Sequence, residues 1–85
     1  MQTIVAVMSV VVEKEESVES LNALLHDFGE HIIGRMGIPY RAKGVNIVSV
    51  ALDAPLETIS LLAEKLGAVP GLSVTTAYSS VVSEE

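Results

Sequence analysis

The 85-residue sequence predicts one α+β domain with elements in the order β-α-β-β-α-β. Two segments, near 18–28 and 56–66, repeat apolar residues at helical spacing. Four others are rich in Val, Ile, Leu and Ala and either alternate with polar residues or run apolar on both faces, as strands of a covered sheet do. Short stretches of Gly, Pro, Asp and Glu separate them and supply the turns.

The first strand is read at 3–12, where "IVAVMSVVV" is apolar on both faces, as in a central strand covered from both sides. That run is far short of the roughly 20 residues a transmembrane helix needs. No basic region precedes it and "EKEES" follows it, so neither a membrane span nor a secretory signal is expected, and the expected location is cytoplasmic. Ser17 is the expected N-cap of the first helix, with Glu19 favoured by the helix dipole. Val18, Leu21, Leu24, Leu25 and Phe28 form its apolar stripe, and Gly29 is its expected stop. The second strand, Ile32 to Ile38, sets Ile32, Gly34, Met36 and Ile38 against Ile33, Arg35 and Gly37.

"PYRAKG" (39–44) turns the chain into a third strand, Val45 to Leu52, with Val48, Val50 and Leu52 on one face and Ile47, Ser49 and Ala51 on the other. Asp53 is the expected N-cap of the second helix, with Pro55 in its first turn. Its stripe is Leu56, Ile59, Leu62, Ala63 and Leu66, and Gly67 ends it. The last strand is expected over Leu72 to Tyr78. The domain then spans 1–80 and residues 81–85 form a flexible tail, whose Val81 and Val82 are available to a neighbouring subunit.

Two split β-α-β halves with right-handed crossovers place both helices on one face of a four-stranded antiparallel sheet, the ferredoxin-like architecture. The other sheet face is then bare. A chain this short buries only about 60–65% of its unfolded surface. Hydrophobic residues make up 49% of it and the mean hydropathy is +0.50, so a second subunit is the expected cover, in a homodimer or tetramer.

Net charge −6 and a pI near 4.7 argue against direct nucleic-acid binding, which needs a basic face. The absence of Cys removes disulfides, thiolate metal ligands and cysteine nucleophiles. No Gly-x-Ser-x-Gly elbow occurs, and the expected central strands carry Val, Ser and Ala where an RNA-binding sheet would stack bases on aromatics.

Chemistry-bearing residues concentrate in "HDFGEHIIGRMGIP" (26–39), which holds both histidines. His26 and Glu30 share a helix face and His31 follows, a spacing able to offer two or three metal ligands, although Gly29 interrupts it and no His-Glu-x-x-His motif is present. The plainer reading is a polar helix end, with Glu30 pairing with Arg35 or with a neighbouring subunit. Arg35 and Arg41 suit an anionic effector, or surface ion pairs in an acidic protein.

With those motifs in place, "LLHDFGEHIIGRMGIPYR" and "DAPLETISLLAEKLGAVPGLSV" resemble a family of small bacterial proteins described as regulators of the iron-only hydrogenase system, over about residues 5–79. The resemblance implies an ACT-like ferredoxin fold related to the C-terminal domain of the nickel-responsive repressor, whose relatives are oligomeric and bind small effectors or metal between subunits. Aligned on that repressor, His26 falls on one ligand position, while Gly37 and Pro39 replace two histidines and the cysteine falls close to Val45. The nickel site is therefore not preserved, no metal or other cofactor is expected, and the repressor's DNA-binding arm has no counterpart here.

The sequence thus predicts a non-catalytic, oligomeric regulatory domain that senses a small effector or docks a partner. Its effector surface is expected at His26, Glu30, His31, Arg35 and Arg41. A metal-binding module using His26 and His31 across subunits is the alternative, and a small enzyme with either histidine as acid/base is the third reading.

Overall fold

The computed structural model describes residues 2–84. In chain order they form β1 (Gln2–Val12), α1 (Val18–Asp27), β2 (Ile32–Tyr40), β3 (Val45–Ala54), α2 (Leu56–Gly67) and β4 (Leu72–Glu84). One-turn 3-10 segments at Glu15–Ser17, Gly29–His31 and Arg41–Lys43 join some of them. The sheet order is β2-β3-β1-β4, with each neighbouring pair antiparallel. This is the α+β ferredoxin-like arrangement that the element order predicts.

Period-two alternation sorts each strand between two faces. Ala6, Met8, Val10 and Val12 of β1 and Val48, Val50, Leu52 and Ala54 of β3 are buried beneath the helices. Leu21 and Leu25 of α1 and Ile59, Leu62 and Leu66 of α2 close the core from above. The opposite face carries Val5, Val7, Met36, Ile38, Tyr40 and Ile47, all exposed. Strand β1 is central, as expected, yet it is covered on one side only. The open side carries these apolar residues on both sides of a polar row, Ser49, Ser9 and Thr75.

Several local expectations change. A register shift between Ile32 and Gly34 inserts an extra residue at Ile33, so Ile32 pairs with buried Leu52 and leaves the face that Gly34, Met36 and Ile38 share. Asp53 does not cap α2. It stays in β3 with its Oδ1 buried and without a hydrogen-bond partner, while Pro55 holds the N-cap position and its carbonyl accepts the N–H groups of Thr58 and Ile59 at 3.0 and 3.1 Å. Leu56, expected in the α2 stripe, is exposed at the helix start. Residues 79–84, expected to lie beyond the last strand, continue β4: Val82 pairs with Ile4 and Glu84 with Gln2 past an irregularity in the β1–β4 ladder. Long apolar β1 supplies the template that keeps the chain extended there.

Ser17 makes no capping bond to α1 either. Its hydroxyl donates to the Pro70 carbonyl at 2.5 Å, tying the β1–α1 connection to the turn before β4. Gly71 completes that tie. At φ 89° it occupies a backbone region that L side chains avoid, and a Cβ would lie 2.6 Å from Ser17 Oγ and 2.9 Å from Lys14 Cβ.

Candidate functional site

Helix α1 ends at Asp27, after ten residues, and covers β2 incompletely. Eight of the nine β2 residues are exposed, so a groove opens between α1 and this edge strand. The groove comprises three adjoining cavities. An outer one of about 690 Å³ lies by the β2–β3 turn and is lined by Glu15, Glu19, Asn22, Tyr40 and Arg41 among others. A middle one of about 230 Å³ has Val12, Leu21 and Val48 in its lining beside Asn22, Arg35, Gly37 and Asn46. A third of about 370 Å³, at the end of α1, is lined by Asn22, Leu25, His26, Gly29, Ile32 and Arg35.

Asn22 lines all three cavities, and Arg35 lines two. The bulge at Ile33 sets the phase of β2 so that Arg35, paired with buried Val50, projects on the helix side. There one guanidinium nitrogen donates to Asn22 Oδ1 at 3.1 Å. The sequence singled out Arg35 and missed Asn22. Asn22 sits one position after buried Leu21, and its amide at the margin of an apolar stripe was the available signal.

Of the five expected site residues, the structure brings His26 and Arg35 to one cavity and places Arg41 in the outer one. Glu30 and His31 line none of the three. They face each other instead, His31 Nε2 to Glu30 Oε1 at 3.8 Å with Glu30 well exposed, so the expected Glu30–Arg35 pair is replaced by Arg35–Asn22. Among the described residues, no three His, Asp or Glu side chains gather as a metal site would require. No helix there is long and apolar enough to cross a membrane.

The fold and this groove define a class: a small ferredoxin-like α+β domain with one helix–strand groove and an open sheet face. Residues 4–76 match the family model described as "TM1266-like: Iron-only hydrogenase system regulator, putative", and the chain belongs to that family. The structure is similar to that of an uncharacterized protein, TM1266, from Thermotoga maritima, at 32% identity and a TM-score of 0.86, over 89% of this chain and 96% of that one. It also resembles a formyltetrahydrofolate deformylase from Pseudomonas putida KT2440, at 14% identity and a TM-score of 0.61, over 86% of this chain and 28% of that one; this likeness concerns the fold alone. No curated protein gives a significant match.

Proposed function

We propose that this chain is a non-catalytic regulatory domain of the iron-only hydrogenase system that self-associates through its open sheet face and responds to a small effector in the α1–β2 groove. The observation that carries the reading is family membership over residues 4–76. The groove supports the effector: it sets the Arg35 guanidinium, which donates one exposed hydrogen bond to Asn22, and two carboxamides over an apolar floor. The bare face supports association. Met36, Ile38 and Tyr40 are 62%, 52% and 49% exposed and adjoin Ile47 on this face, while a row of Ser49, Ser9 and Thr75 separates them from exposed Val5 and Val7. The exposed part of the Met36, Ile38, Tyr40 and Ile47 patch is on the order of 400 Å², a size at which such patches are often functional. The effector works by population shift: binding favours one assembly over another in proportion to its differential affinity.

A thermal-shift screen of metabolites tests the effector. A reproducible rise in melting temperature with at least one compound is expected, and a blank across the screen leaves only a role in protein docking. The cytoplasm is the location consistent with this role.

A further inference from the structure

We infer that the middle cavity of the α1–β2 groove is a binding site for a small aliphatic carboxylate, recognised by Arg35. This rests on the effector reading above and gives the effector its chemistry. The chain carries five Lys and Arg against eleven Asp and Glu, yet two of the five cations, Arg35 and Arg41, line the same groove. Among the described residues, no carboxylate forms a salt bridge with either. Arg35 is held instead by the neutral Asn22 amide. A neutral partner orients the guanidinium without cancelling its charge and leaves most of its donor fork free. That fork matches the two oxygens of a carboxylate.

The rest of the cavity specifies the ligand's body. About 230 Å³ floored by Val12, Leu21 and Val48 suits a short branched hydrocarbon, with the Asn46 amide available to one further polar atom. Among the described residues, no Asp or Glu lines this cavity or its neighbour at the end of α1; the carboxylates Glu15 and Glu19 belong to the outer cavity. An ammonium group next to the ligand carboxylate would lose water and find no counter-charge. The amino acid is therefore disfavoured against the unsubstituted or 2-oxo acid of the same skeleton. Net charge −6 repels every anion, and a phosphate dianion about twice as strongly as a monocarboxylate. Gly37 keeps the space open: it lines the cavity, its φ is not positive, and a Cβ built on it meets nothing within 4 Å.

The test is an amide NMR titration of the full chain with 3-methylbutanoate, run beside leucine and inorganic phosphate. Saturable shifts at groove residues are expected with a Kd on the order of 1 mM, reasonable for so small a ligand. Leucine should bind about tenfold more weakly, and phosphate should not saturate. Arg35→Gln should weaken binding about tenfold or more. Gly37→Val should abolish binding while the protein stays folded, because that position has room for the side chain. Absence of saturable shifts with the carboxylate, or unchanged affinity in both variants, overturns the site. Leucine binding as tightly as 3-methylbutanoate overturns the carboxylate class. Either outcome is distinct from failure of the effector reading, which would be a blank in the wider metabolite screen.

Discussion

The two β-α-β halves of the molecule cover their shares of the sheet unequally. Helix α2 buries Ile59, Leu62 and Leu66 completely and packs over edge strand β4 and the inner strands β1 and β3. Helix α1 is two residues shorter, fully buries only Leu21 and Leu25, and leaves Val18, Leu24 and Phe28 partly buried above an exposed β2. Similar secondary structure therefore has two consequences. The α2 half supplies most of the core, while the α1 half leaves the groove, the arginines without carboxylate partners and one end of the open face.

That contrast is sharpest in paired truncations. Leu62→Ala should cost about 3–4 kcal/mol, because the cavity it leaves lies in a fully packed layer. Leu24→Ala, at the margin of α1, should cost about 1 kcal/mol. Urea denaturation measures both, and equal losses would erase the distinction between the halves. Two glycines give the next contrast. Gly71→Ala should destabilise by about 2 kcal/mol, since it combines a positive φ with a collision against Ser17 and Lys14. Gly37→Ala should fall within about 0.5 kcal/mol of the parent, or stabilise slightly, because the groove has room for a methyl group. An effect between these two, about 1 kcal/mol, is expected for Ser17→Ala, which loses the bond to the Pro70 carbonyl.

The sequence disclosed the fold most fully where periodicity was strong. Val48, Val50 and Leu52 alternate inward as predicted, and Ile59, Leu62 and Leu66 face the core at helical spacing. It misled where the deciding contact was tertiary. The cap role read for Ser17 gave way to a partner 53 residues away, and Asp53 remained in β3 although its type and position suit a cap. The bulge at Ile33 has no local signature in "HIIGR", yet it selects the side of the sheet on which Arg35 lies. Of the site, the arginines were legible because cations are scarce in this chain. Asn22, on α1, was not, because its contribution is to hold a guanidinium that arrives from β2.

At the open face the stability effect is expected to be modest. Ile38→Asp replaces a half-exposed side chain on β2, so it should lower the unfolding free energy of the monomer by about 1 kcal/mol. Its effect should appear in assembly instead, since a charge at that position would be desolvated against a second copy.

Light scattering coupled to size exclusion at micromolar concentration, on the parent chain and Ile38→Asp together, tests the central claim most directly. The account predicts a dimer or larger assembly for the parent and a folded monomer for the variant. A monomeric parent, or an assembly that the substitution leaves intact, would contradict association through the open sheet face.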